Sequence, residues 1–365
     1  MCQTYNAIGS LTTLKRQLKD NNIHDFKSLK EVIDFQSSYT TYRQQIIANH
    51  ENIIKQEKEN LHLDLQQLDT TIEVQKKQAE RRLTSEIDKL KQQLNFLALD
   101  KQANLFQKLI RNFRQWNYKK QLRDKENSLE MEVLKSVNSL AAVRQIKDKR
   151  YQFIISQYIR AVEQSSLRDL SEIDRKKSVI DKLNSFIYGA LGEQKVVKTL
   201  ERLSDEYFLI NDFDISFTPA IYNRQENDYI KSIQIDHLLI APSGIFLIET
   251  KNWSEKSLEN LNLRSPVQQI RRTSYVLFKL LNNEINNFHL SLDKHHWGGR
   301  KISIKNLIVL INTKPKEEFQ YVKILTLNEL PGYINYFKPT FSGIETQRIT
   351  NFLLRINELK VIETK

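Results

Sequence analysis

Between Ser10 and Tyr188 the sequence has neither glycine nor proline. Gly9 stands just before this stretch, and the other seven glycines and all six prolines follow it. Chain reversals draw on these two residues, because glycine reaches left-handed backbone angles freely and proline pre-sets a turn. A run of 179 residues without either excludes an ordinary β-containing or α/β domain there and leaves long helices.

Cysteine is as scarce. Cys2 stands alone, which excludes an internal disulfide and a thiolate metal cage. No run approaches the ~20 uncharged apolar residues that a helix needs to cross a bilayer. Met1-Cys2-Gln3-Thr4 lacks the basic-then-apolar order of a signal peptide. A cytoplasmic protein with no membrane partner is expected. No Gly-rich phosphate loop, kinase signature or Ser-His-Asp arrangement occurs.

What is present divides in two. The 365 residues, 40% hydrophobic and 27% charged, suffice for two or three domains. The net charge of +12 is uneven: residues 1–188 hold 33 Lys and Arg against 24 Asp and Glu, and residues 189–365 hold 23 against 20. A basic rod is either an electrostatic footprint for nucleic acid or a solvated Lys-rich helix surface, and charge alone does not separate the two.

Asp25 is placed to cap a helix running through Leu29, Val32, Ile33, Tyr39, Tyr42, Ile46 and Ile53. Steps of three and four at Leu61, Leu65, Leu68, Ile72 and then Leu83, Ile87, Leu90, Leu94 mark a coiled-coil seam. A helix of ~70 residues would be about 105 Å long. Residues 95–118, richer in aromatics (Phe96, Phe106, Phe113, Trp116), are read as the bend. A second seam follows through Leu134, Val137, Leu140, Val143, Ile155, Ile159, Val162, Leu170, Ile173, Ile180 and Leu183. The two seams close either as an antiparallel hairpin or by dimerisation.

Near Gly189 the pattern changes. A short helix from Glu193 to about Leu203 precedes strand-like runs at 207–210, 232–240, 244–251 and 302–311, with another at 321–327. Ala241-Pro242-Ser243-Gly244 makes the second and third of these a β-hairpin. Ser265-Pro266 reads as a helix start, and Ser342 with Glu345 as a capping box for a closing helix. The order α-β-β-β-α-β is that of a mixed α/β domain.

The hairpin carries the chemistry. If residues 241–244 form its loop, Ile240 pairs with Ile245, and Asp236 lies opposite Glu249. Opposed carboxylates in an apolar sheet are costly unless a cation sits between them. A bulged loop would instead put Asp236 opposite Thr250. Lys251 lies two residues beyond Glu249. Glu193 shares a helix face with Val196, Val197 and Leu200, either as a first-turn acid favoured by the helix dipole or as a third carboxylate aimed into a site. His295-His296-Trp297-Gly298-Gly299 reads as a surface turn rather than a metal loop. Arg271 and Arg272 suit a phosphate backbone or a solvated helix face. His237 is assigned to the opposite face of its strand and Trp253 to packing.

Gly189-Ala-Leu-Gly192-Glu193, Ile235-Asp236-His237-Leu238-Leu239-Ile240 and Gly244-Ile245-Phe246-Leu247-Ile248-Glu249-Thr250-Lys251-Asn252-Trp253 together resemble the NERD (nuclease-related) domain of the PD-(D/E)xK, restriction-endonuclease-like superfamily. Ser265-Pro266-Val267-Gln268 is similar to the family's later Asn-Pro-x-x-Gln element, with Ser for Asn. Ile235 stands where the superfamily's name has Pro. The resemblance covers about residues 189–311. With the helical coiled-coil region read over 1–185, it implies an α+β protein whose residues 186–365 form a nuclease domain with a mixed central sheet. It further implies that Asp236, Glu249, the Thr250 carbonyl and Glu193 hold Mg²⁺ or Mn²⁺, with Glu193 acting through a metal-bound water or a second ion. Lys251 would position or activate the attacking water, and Gln268 would orient groups in the same pocket. The implied activity is metal-dependent hydrolysis of phosphodiester bonds, of DNA first, in DNA processing or defence against foreign DNA. A homo-oligomer through the coiled coil and a regulatory protein partner are expected. The other reading is a non-catalytic scaffold that binds nucleic acid without cutting it.

Overall fold

The computed structural model describes residues 1–99, 105–224, 226–252, 264–282, 290, 292, 302–315 and 317–364. They fall into two compact units, Ser38–Asp174 and a second made of Met1–Ser37 with Arg175–Lys365. The composition break at Gly189 is therefore not where the units part, and the first 37 residues fold with the C-terminal half.

The unit Ser38–Asp174 holds most of α2 (Leu29–Leu99), α3 (Leu105–Ser156) and most of α4 (Tyr158–Lys182). The seam closes within one chain, as an antiparallel hairpin. Tyr39 donates to Asp174 at 2.6 Å, Arg150 makes a two-pronged contact with Glu57 at 2.7 and 2.8 Å, and Lys91 pairs with Glu126 at 3.0 Å. As one residue number rises the other falls. Such exposed pairs fix register more than stability; the buried seam of Ile54, Leu65, Ile72, Leu83, Ile87, Val137, Ile154 and Val162 supplies the burial. The phase differs from the sequence reading at adjacent isoleucines. Ile54 and Ile154 are buried where Ile53 and Ile155 were expected, and Ile159 is exposed because the helix is interrupted at Gln157. The expected bend over 95–118 is helical through Leu99 and again from Leu105; residues 100–104 lie outside the described residues.

Helix α2 begins at Leu29 rather than after Asp25. Ser28 Oγ accepts from the Glu31 N–H at 3.3 Å, while the Glu31 carboxylate accepts from the Lys27 N–H at 2.7 Å. This is a capping-box variant. Asp25 is ion-paired with Lys176 instead.

The other unit is built on a seven-stranded mixed sheet. Its order is β1 (Gln3–Tyr5), β2 (Phe208–Asn223), β3 (Asp228–Ala241), β4 (Gly244–Lys251), β5 (Ile304–Leu310) and β6 (Lys323–Thr326), with β7 (Val361–Glu363) also on β2. Strands β2, β3 and β4 run antiparallel in succession, and β4, β5 and β6 are parallel. Helices α6 (Arg264–Leu281) and α8 (Gly343–Leu359) cover one face through Ile270, Val276, Leu277, Ile349 and Leu353. The other face is covered by α5 (Asn184–Leu200) and α7 (Leu330–Asn335) through Val196, Leu200, Leu330 and Ile334. The α+β class and the mixed central sheet agree with the sequence. The Ser342–Glu345 capping box forms as expected, with Ser342 Oγ accepting from the Glu345 N–H at 3.3 Å.

The N-terminal segment enters this core. Helix α1 (Gly9–Asp20) packs Leu14 and Leu18 against Ile180, Leu183 and Ile187. It ends without glycine: Asn22 takes a φ of 55°, and the Asn22 and Ile23 N–H groups bond the Lys19 and Leu18 carbonyls at 2.9 Å each. That is a Schellman motif with asparagine at the left-handed position. Cys2 is buried in the core beneath α5, and burial pushes its thiol up to about 12. The native protein is expected to resist a thiol-reactive reagent at pH 8, because the thiolate is the reactive form. One thiol should appear on unfolding, and rapid labelling of the native protein would contradict this docking.

Candidate active site

Ile240 and Ile245 are partners, as are Ala241 and Gly244, and the register continues to His237 opposite Ile248. The ladder ends there, with Asp236 and Glu249 the next residues along the two strands, and the Ile240–Ile245 pairing excludes the bulged loop that would put Asp236 opposite Thr250. Asp236 instead reaches Thr250 through its side chain, its carboxylate accepting from the Thr250 N–H at 2.7 Å. Opposite Asp236 on β2, Asp212 has a φ of 48°. Ile210 and Phe213, three residues apart, consequently face the same core, as do Ile235 and Leu238 across from them. The pleat breaks at Asp236-His237, which frees Asp236 from the apolar layer.

Glu193 lies in the middle of α5, because that helix starts nine residues earlier at Asn184. The first-turn dipole account of Glu193 is thereby excluded. Its side chain is buried and is capped from an unexpected place: Ser10, at the start of α1, donates both its hydroxyl and its N–H to the carboxylate, the latter at 3.3 Å. Gly189 makes room for this contact, since a Cβ there would meet Ser10 Oγ at 2.8 Å.

Glu193, Asp236, Thr250 and Lys251 line one cavity of about 710 Å³ together with Ser10, Tyr188 and Asn252. Asn252 donates to the Tyr188 carbonyl at 2.8 Å, tying the end of β4 to α5. Glu249 is buried and accepts from Lys251 Nζ at 2.7 Å through one oxygen. Its other oxygen, Oε2, is buried with no hydrogen-bond partner. Burial, with the charges of Glu249 and Glu193, raises the Asp236 carboxyl well above the ordinary range against the pull of Lys251 and the Thr250 N–H. Burial also raises Glu193, which Ser10 opposes and the charges of Asp212 and Glu249 reinforce. Burial works against the Lys251 ammonium, yet Glu249, Asp236 and Glu193 hold it above its usual range.

Gln268 is elsewhere. It is exposed on α6 and lines a separate cavity of about 720 Å³ with Gln234, Ser265 and Arg272. Arg271 donates to the Gln320 carbonyl at 2.7 Å, and Arg272 pairs with Asp228 at 2.7 Å. His237 is fully buried, bonded to Asn211 at 2.7 Å, and kept neutral by burial, which pushes it down to about 3. Trp253 and residues 295–299 lie outside the described residues.

The donor set suits a hard divalent ion. Glu249 Oε2 is buried without a hydrogen-bond partner while Lys251 holds the other oxygen, and Glu249 is near enough to the Asp236 carboxyl for its charge to raise it. Among the described residues no three His, Cys, Asp or Glu side chains converge on one point. Two carboxylates, a main-chain carbonyl and waters are the partial coordination that Mg²⁺ accepts. A soft-metal cage finds no ligands here.

Sheet, covering helices and acidic cavity together make an α+β core with a cleft of carboxylates at one end of its hairpin. The family model of the nuclease-related domain (NERD) matches residues 188–311, about a third of the chain. No curated protein and no solved structure matches the chain.

The sequence reading did not find Ser10. It lies 183 residues from Glu193, and a serine beside a lone glycine carries no signal of its own. Ser10→Ala leaves a buried carboxylate short of a donor, which should lower the unfolding free energy by about 1–3 kcal/mol. A denaturant midpoint that does not move would show the contact to be incidental.

Proposed function

We propose that the unit containing the sheet is a divalent-metal-dependent nuclease that hydrolyses phosphodiester bonds in DNA. The observation that carries this reading is the Asp236–Glu249–Lys251 arrangement: two carboxylates on β3 and β4 near enough for one to raise the other, Glu249 with a buried unpartnered oxygen, and a charged amine that bonds Glu249 and lines the cavity. Asp236, Glu249 and the Thr250 carbonyl would hold Mg²⁺ or Mn²⁺. Such an ion lowers the pKa of water and stabilises charge developing on the scissile phosphate. Lys251, held charged by its acidic neighbours and partly exposed, meets a phosphate oxygen in the cavity and offsets its charge. Glu193, fixed by Ser10, keeps a third acid on the cavity wall. A cytoplasmic role in DNA processing or defence against foreign DNA accords with this chemistry.

The test is incubation of the full chain with plasmid and linear DNA in Mg²⁺, Mn²⁺ or EDTA. Cleavage is expected with metal, is lost in EDTA, and is lost in Lys251→Ala. Cleavage that survives Lys251→Ala overturns the assigned site. Binding without cleavage under every metal supports the scaffold reading instead.

A further inference from the structure

The first turns of α3 expose a stripe of large apolar side chains. Phe106 is 75% exposed, Leu109 69%, Ile110 42%, Phe113 66% and Trp116 61%. Their spacing of three and four residues keeps them on one face of the helix. The half-buried Gln115, Tyr118 and Leu122 mark the face turned to α2, where Gln115 donates to the Leu97 carbonyl at 3.4 Å. At about 100° per residue, the apolar stripe lies on the side of α3 away from that seam. It is therefore not spent on closing the hairpin. Soluble surfaces seldom carry so continuous an apolar face without a use for it.

Charge narrows what covers it. Residues 105–123 contain six Lys and Arg and no Asp or Glu. Lys108, Arg114, Lys119, Lys120 and Arg123 are exposed, and Lys120 sits over the Trp116 ring at 5.8 Å. A second copy of this helix would bring two cation-rich faces together. Nucleic acid would take the cations and the aromatic rings, but it offers nothing to Leu109 and Ile110. An anionic bilayer takes both parts, since the acyl boundary accepts the apolar stripe while headgroup phosphates meet the cations.

We propose that the N-terminal turns of α3 are an interfacial helix that seats this protein on an anionic lipid surface. This is independent of the nuclease reading, and it departs from the expectation of no membrane partner. Among the described residues no helix is long and apolar enough to cross a membrane, which bears on crossing and not on lying in the interface.

The experiment is co-sedimentation of the full chain with vesicles of phosphatidylcholine alone and of phosphatidylcholine with phosphatidylglycerol. Partition onto the anionic vesicles should be about tenfold stronger and should fall with added salt. Phe113→Ser and Trp116→Ser should each cut it several-fold with unchanged helical circular dichroism, and Lys119→Glu should cut it without touching the apolar stripe. No partition, equal partition onto neutral vesicles, or binding indifferent to these substitutions overturns the proposal. A dimer in light scattering that Phe113→Ser dissociates, with no vesicle binding, would assign the stripe to a second copy. Duplex or single-stranded DNA binding lost in Lys119→Glu, again with no vesicle binding, would assign it to nucleic acid.

Discussion

Asp236→Asn should abolish cleavage while raising thermal stability. Losing one of two carboxylates from the proposed metal site removes several kcal/mol of transition-state stabilisation, so a fall of about 10³-fold or more is expected. The fold, by contrast, gains. Burial and the charges of Glu249 and Glu193 disfavour the ionised Asp236. An asparagine oxygen can still accept from the Thr250 N–H, the one hydrogen bond that organises this position. One pKa unit of relieved repulsion is worth about 1.4 kcal/mol, or roughly 3–6 °C in a domain of this size. The sign follows from the raised carboxyl. Below its ordinary value of 3.8 both folded and unfolded chains carry the proton, and the substitution changes little. As pH rises above that value the unfolded aspartate ionises while the folded one resists, so the wild type loses stability relative to the asparagine variant. Calorimetry in EDTA at pH 7 and at pH 3.5 tests both halves. A lower melting temperature for Asp236→Asn at pH 7 would mean that the acids are already compensated within the protein.

Gly192→Val should cost both stability and activity. A Cβ at Gly192 would stand 3.0 Å from Asn252 Cβ, 3.3 Å from Thr250 Cγ2 and 3.4 Å from Ile311 Cγ1. Two of these atoms are anchored close to the backbone of the β4 end and the chain beyond β5, so the branched valine cannot be accommodated by rotating a side chain. It would push α5 off the sheet, at about 1–3 kcal/mol. The same displacement would break the Asn252–Tyr188 bond and withdraw Glu193 from the cavity. Gly343→Ala is the matched control, because a Cβ there meets nothing within 4 Å. A Gly192→Val protein that matches the wild type in the cleavage assay would show that the closeness of α5 to β4 is not needed for the proposed activity.

The hairpin around Asp236 and Glu249 was legible because its signals are local. Proline and glycine at fixed turn positions set the Ile240–Ile245 pairing, which the ladder follows as far as His237 and Ile248, one step short of the acids. The closing helix was legible for the same reason, through Ser342 and Glu345. Three features were not. Glu193 looked like a first-turn residue because Gly189 and Gly192 looked like a helix boundary; both instead lie within α5, where they allow close approach to Ser10 and to β4. The break at Gln157 and the turn after α1 use no glycine or proline at all, and Asn22 takes the left-handed angle unaided. Gln268 follows a readable helix start, but the direction in which that helix presents it depends on packing that no local pattern encodes. Long-range contacts such as Ser10 with Glu193 leave no periodic trace.

Because residues 1–37 belong to the same compact unit as residues 175–365, the 137 residues of the hairpin are synthesised between two halves of one fold. At about 5–20 residues per second, Ser10 waits roughly 9–37 s for Glu193, 183 residues later, to be synthesised. Glu193, Asp236 and Glu249 all emerge after the hairpin, so a nascent chain holds no assembled acidic cavity while the long helices form. Truncation anywhere within the hairpin then yields a product without the site, and an N-terminal deletion yields one whose buried Glu193 has lost its donor. Synthesis order thus makes the assembled acidic cavity a late property of the chain.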